Sequence, residues 1–237
     1  MLELAWLNMF KNTFELEPSK TQSLISYIFL PWTPKLFYGL LTDTFPICKS
    51  RKRSYIILMG MMQCIAALIT AVMPESSAGL VTACGFFIYL AQAVNDVVVD
   101  GLMVSQQRID PESGSENLQA YSWLCWCVGG TLFGIIGGFM LEELSSSFVF
   151  YLTAGLGILI SVVGFFTSSK LEESAQHVIA MTLKQRTKMT FKEIWYGLKI
   201  KQARNMIIFI IISRGFIPSY SNYFYYFLTD ELGFTQI

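Results

Sequence analysis

Three stretches of this chain are long and apolar enough to cross a lipid bilayer without one charged residue: Ser54–Met73, Leu118–Leu141 and Phe148–Ser168. A helix needs about 20 mostly apolar residues to traverse the hydrocarbon core. Three more stretches qualify with a few ionisable groups inside: Leu24–Thr42 holds Lys35, Gly79–Met103 holds Asp96 and Asp100, and Asn205–Leu228 holds Arg214. Pro31 and Pro34 interrupt the first of these, an interruption that membrane helices tolerate. The six spans take up more than half of the 237 residues, so the expected fold is an all-α, polytopic membrane protein of about six transmembrane helices. Composition agrees. Only 14% of residues are charged, against about 25% in soluble domains, and the formal net charge is zero. That leaves no basic field to hold a nucleic acid. Five irregularly spaced cysteines and one histidine speak against a disulfide framework and a zinc site. No phosphate-cradling loop is present, so neither nucleotide, cofactor nor metal is expected, and no enzyme chemistry.

Orientation follows from the short loops, because Lys and Arg accumulate on the cytoplasmic side. Lys49, Arg51, Lys52 and Arg53 follow the first span, Arg108 follows the third, and eight more basic residues lie in the linker after the fifth. The opposite turns, 74–78 and 142–147, hold only Glu75, Glu142 and Glu143. Four regions are expected. Residues 1–23 form an extracytoplasmic remnant of a missing first helix plus its turn, and 24–168 form five spans of an N-terminal half. Residues 169–204 form a basic cytoplasmic linker, and 205–237 carry the first span of a second half. On this reading the chain is a fragment. In the linker, Phe191, Ile194, Trp195 and Leu198 repeat at helical spacing, which suits an amphipathic helix lying on the bilayer surface.

Ionisable residues inside a membrane are costly and usually mark a pathway. At 1.5 Å of rise per residue, Lys35 lies roughly 10 Å from the cytoplasmic end of its span, and Asp96 and Arg214 roughly 12–14 Å in. Gln92, Asp96 and Asp100, at i, i+4 and i+8, form one stripe on their helix. Two readings are open: a water-filled solute pathway between helices, or an ion pair that only holds helices together. The pathway is favoured. Gly130, Gly134 and Gly138 recur every four residues, a spacing that lets helices approach closely. The five cysteines read as apolar filler.

The run Pro31-Trp-Thr-Pro-Lys-Leu-Phe-Tyr-Gly-Leu-Leu-Thr-Asp43, with Phe45-Pro-Ile47 and Arg51-Lys-Arg-Ser-Tyr55 after it, resembles the folate–biopterin transporter family of the major facilitator superfamily. Asn95-Asp-Val-Val-Val-Asp-Gly101, Asn117-Leu-Gln119 and Leu232-Gly-Phe234 extend the likeness from about Leu24 to Phe234. The resemblance implies a major-facilitator-like bundle, incomplete here, whose spans correspond to helices two to seven of twelve. It also implies that Gly39, Asp43, Arg51 and Arg53 belong to a cytoplasmic gate in which Asp43 pairs with Arg51 or Arg53. Asp100 reads equally as gate or as solute contact.

The implied activity is secondary transport of folate- or pterin-type solutes. The pathway residues would be Lys35, Gln92, Asp96, Asp100 and Arg214. A carboxylate in a partly dry cavity suits proton coupling. Other open readings are a carrier of another small organic anion and a truncated membrane protein that transports nothing. In a cysteine-free background, single cysteines at Ser50 and Gln185 should react with impermeant thiol reagents from the cytoplasmic side, and those at Ser76 and Ser146 from the opposite side. Reversal of either pair would mean a miscounted span.

Overall fold

The computed structural model describes residues 1–47, 50, 52–74, 76–106, 114–167, 183–215 and 221–233. These fold into helices, and no strand forms among them beyond a single bridge between Ile47 and Ser50. Four helices are long and apolar enough to cross a membrane. They are α4 (Arg53–Val72), α5 (Ala78–Gln106), α6 (Gly114–Glu143) and α7 (Ser146–Phe166). All four coincide with spans expected from hydropathy.

The first expected span is built from two helical pieces. Leu24–Thr42 falls across α2 (Pro18–Phe29), a 3-10 turn at Leu30–Trp32, and α3 (Lys35–Thr44). Pro31 and Pro34 supply no N–H, and their rings crowd the preceding turn, so one continuous α-helix cannot pass through both. The break is held by Thr33 N–H donating to Leu30 O at 3.0 Å and Phe37 N–H to Pro34 O at 2.9 Å. Before it come α1 (Leu2–Asn8), a π-helical turn at Met9–Thr13, and a bend at Glu15, whose φ of +49° lies in the left-handed region. Proline at the first position of α2 fits a helix start, where the missing N–H loses nothing. Later in the chain come α8 (Leu183–Lys199), α9 (Lys201–Gly215) and α10 (Ser221–Asp230). Within Asn205–Leu228 the described residues belong to α9 and α10, and residues 216–220 lie outside the described residues.

Two apolar clusters hold the bundle. The larger lies where α4 ends and α5 begins, and the N-terminal segment fills it: Trp6, Met9 and Phe10 are fully buried with Ile28, Val81, Ile88 and Phe150. Trp6 stacks obliquely against Tyr89 and Phe150, with ring centroids 5.3 and 5.8 Å apart. At the other end, Tyr55 and Ile56 of α4 pack on Val94 and Val98 of α5. Helix α10 returns to the N-terminal segment. Lys11 forms an ion pair with Asp230 and lies over the Tyr226 ring at 5.3 Å. The Tyr226 hydroxyl donates to Leu16 O at 3.2 Å and lies 2.9 Å from Thr21 Oγ1.

The closest helix approach among the described residues is between α4 and α7. A Cβ on Gly157 would lie 2.8 Å from both Cys64 N and Gly60 O, and one on Gly164 would meet Ile56 at 2.8 Å. The expected small-residue row on α6 sits differently. A Cβ on Gly130 or Gly134 would meet nothing within 4 Å, whereas Gly138 is buried and its neighbour Gly137 faces Met1. A methyl group forced against backbone strains a packed interface by about 1–3 kcal/mol. Gly157→Ala should therefore lower the melting temperature of the detergent-solubilised protein clearly, and Gly130→Ala should leave it near wild type. Equal shifts would place the tight contact elsewhere.

Candidate functional site

The proline break sets the position of the first charge. Because α3 restarts at Lys35, that lysine is the first residue of a helix deep inside the span, at the positive end of the helix dipole. A cation there needs a counter-charge, and α5 supplies it: the Lys35 amine forms an ion pair with Asp96 Oδ2. The amine also lies 5.1 Å from the centre of the Trp32 ring, which adds a cation–π contact from the break itself. The indole N–H of Trp32 is buried and has no hydrogen-bond partner among the described residues.

Neither partner of the pair is enclosed. The side chains retain 35% and 43% exposure for Lys35 and Asp96. Along the same face of α5, Gln92 is half-buried one turn before Asp96 and Asp100 is exposed one turn after it. The three stripe residues therefore border one open face together with Lys35. Asn95, next to Asp96, points elsewhere: it is buried, and neither end of its amide has a partner among the described residues. Arg214 lies in the last turn of α9, but its side chain is outside the described residues, as is Pro218. Among the described residues no cluster of three His, Cys, Asp or Glu side chains could hold a metal ion.

A second charged group forms at the α3–α4 connection. Ile47 and Ser50 exchange backbone hydrogen bonds of 3.0 and 2.9 Å, and Tyr55 Oη donates to Phe45 O at 2.9 Å, closing a tight loop. The loop brings Lys52 Nζ to 2.7 Å from Asp43 Oδ1. The same amine lies 2.6 Å from where a Cβ on Gly101 would stand, so it reaches α5 beside Asp100. The resemblance points to Arg51 or Arg53 as partner of Asp43. Lys52 is one partner of Asp43, Arg51 lies outside the described residues, and Arg53 reaches toward α7, 4.9 Å from the Phe165 ring centre. Successive helical residues point about 100° apart, so neighbours in a basic run face different helices. Gly39 lies where α3 runs along α5, with Val97 3.5 Å from a Cβ placed on it.

Comparison with known proteins follows this geometry. The family described as BT1 family matches residues 1–237. The folate-biopterin transporter of Synechocystis sp. is 31% identical over 226 residues, covering 94% of this chain and 44% of that protein. Folate transporter 1 of Plasmodium falciparum is 24% identical over 236 residues, covering 99% of this chain and 45% of that protein. Folate transporter 2 of the same organism is 26% identical over 236 residues, covering 99% and 49%. The chain thus spans less than half the length of these relatives. No solved structure matches it.

The contact between Lys35 and Asp96 predicts energetic coupling. Lys35→Ala and Asp96→Ala should each reduce thermal stability and membrane yield. The double variant should lose less than the sum of the two, with a coupling energy of about 0.5–3 kcal/mol. Strictly additive losses, read by melting in detergent, would show that the two charges do not meet.

Proposed function

This chain is an integral, multi-pass membrane protein of the BT1 family, and on that ground we propose that it forms part of a secondary-active carrier for folate- or pterin-type solutes. The relatives' names supply the solute class. The observation that carries the reading is the half-exposed Lys35–Asp96 pair, contributed by two helices. A pair serving only to join helices would be closed off by them. This one faces an open stripe with Gln92 and Asp100.

The chemistry fits the solute. A pterin ring presents a ring N–H and an amino group side by side, and one carboxylate accepts both in a two-point contact. Asp96 is placed for that role. The glutamate carboxylates of a folate suit Lys35 and Arg214. Coupling to a cation, a proton first of all, is part of the same proposal. Carriers of this kind rock two helical halves about a midplane site. In that cycle Asp43 and Lys52, with Gly39, Arg51, Arg53 and Asp100 around them, form the cytoplasmic gate. The Lys11–Asp230 and Tyr226 contacts close the opposite face. Residues 1–23 lie on the extracytoplasmic side and 169–204 on the cytoplasmic side. There α8, with Phe191 and Trp195 exposed and Lys192 and Lys199 flanking, lies on the inner leaflet.

The test is uptake. Cells stripped of their own folate carriers and expressing the gene that encodes these residues should accumulate labelled folate saturably, with biopterin competing. The Lys35→Ala/Asp96→Ala double variant should reach the membrane and transport nothing. Residues 1–237 expressed alone should give no uptake, because a second half is required. Saturable uptake indifferent to pterins would assign another organic anion, and normal uptake by the double variant would reduce the pair to a helix tie.

A further inference from the structure

The face of the bundle away from the charged stripe carries a furrow of about 400 Å³ between α4 and α7. Its cause is the glycine contact described above. Gly60, Gly157 and Gly164 draw the two backbones together, and the larger side chains on either side splay outward. Ile57, Met61 and Ile65 form one wall at i, i+4 and i+8, and Ile158, Val162 and Phe165 form the other at i, i+4 and i+7. Ser161 is the one hydroxyl of the lining, and it already donates to Ile57 O at 3.0 Å and Gly157 O at 3.2 Å. The furrow therefore offers a polar ligand little, and both helices are long and apolar enough to cross a membrane.

Its length and one end identify the occupant more closely. The lining on α4 runs from Ile57 to Ile65, about 12 Å at 1.5 Å of rise per residue, and Arg53 stands one turn before Ile57. Half of a hydrocarbon core of about 30 Å is roughly 15 Å, so the furrow takes most of the length of one acyl chain in one leaflet. At the headgroup end stands Arg53, held over the Phe165 ring at 4.9 Å. Arginine presents five donors in a planar fork that matches phosphate oxygens, and it can serve more than one partner at once. It is also the first residue of α4, so an anion there meets the positive end of that helix.

We propose that the α4–α7 furrow is a binding site for an anionic phospholipid, its acyl chain lying between the two isoleucine-rich walls and its phosphate on Arg53. The positive-inside loops put Arg53 on the side where anionic lipids concentrate. The site shares Arg53 with the proposed gate but does not depend on the identity of the solute.

Native mass spectrometry of the purified protein, titrated with palmitoyl-oleoyl phosphatidylglycerol or the matching phosphatidylcholine, tests it. One phosphatidylglycerol should be retained about tenfold more strongly than phosphatidylcholine, the ratio expected for one charge-assisted contact. Arg53→Gln should erase that preference, and Arg53→Lys should keep part of it. Met61→Trp with Ile158→Trp, which fills the furrow, should weaken both lipids alike while the protein stays folded by its melting curve. Equal retention of the two lipids by the wild type would overturn the proposal, as would a preference that survives Arg53→Gln. A dimer that lipid displaces in the wild type and that the tryptophans abolish would overturn it too, by assigning the furrow to a second copy.

Discussion

In hydrocarbon, a lysine amine and an aspartate carboxylate are each expensive to insert and are tolerated when they meet. That constraint organises the middle of this chain. Lys35 sits deep in the first span because two prolines stop α2 and restart the helix at that residue. Asp96 sits opposite because α5 carries its carboxylate at the matching depth. Neither position makes sense without the other. Without the contact, α3 would begin with a bare ammonium at its positive end, and α5 would carry an unmatched carboxylate.

Around this pair the helices divide into two kinds of surface. Between α4 and α7, backbone approaches backbone because glycine removes the side chains that would keep them apart. Contact at that range also satisfies polar groups in place. Ser161 and Gln63 donate to carbonyls of the neighbouring helix, at 3.0 Å for Ile57 O and 3.4 Å for Thr153 O. Helix α6 is the other kind. Trp123, Trp126, Ile135 and Phe139 stand exposed, a surface intolerable in water and ordinary against lipid or further helices. The same sequence property, apolar length, therefore specifies both a sealed joint and an open face. Only the placement of small residues separates them.

Much of this is legible in the residues alone. The four unbroken helices follow from twenty-residue apolar runs, because a bilayer leaves a chain few alternatives. Depth puts Lys35, Asp96 and Arg214 at one level, since helical rise converts residue number to ångströms, but it does not say which cation meets Asp96. Direction around a helix is harder to read. Arg51, Lys52 and Arg53 differ by about 100° each, and nothing in a basic run says which one faces Asp43. The glycines illustrate the same difficulty. The regular row on α6 is conspicuous as a pattern, whereas Gly60, Gly157 and Gly164 belong to two helices a hundred residues apart and form a motif only once folded. Lys11 and Asp230 are further still from any local signal. Proline, by contrast, announces its effect, but the length of the interruption depends on two prolines acting together across a 3-10 turn.

The contact between Lys11 and Asp230 joins residues 219 apart in sequence. A ribosome adding about 5–20 residues per second delivers Asp230 roughly 10–45 s after Lys11. For all of that interval Trp6, Met9 and Phe10 can seat themselves against α5 and α7 as those helices arrive, but the segment carrying them is tied down at its far end only when α10 is made. Trp6, Met9 and Phe10 are thus secured long after they are made. This part of the bundle closes like a drawstring, an earlier segment tightened by a helix that follows 219 residues later.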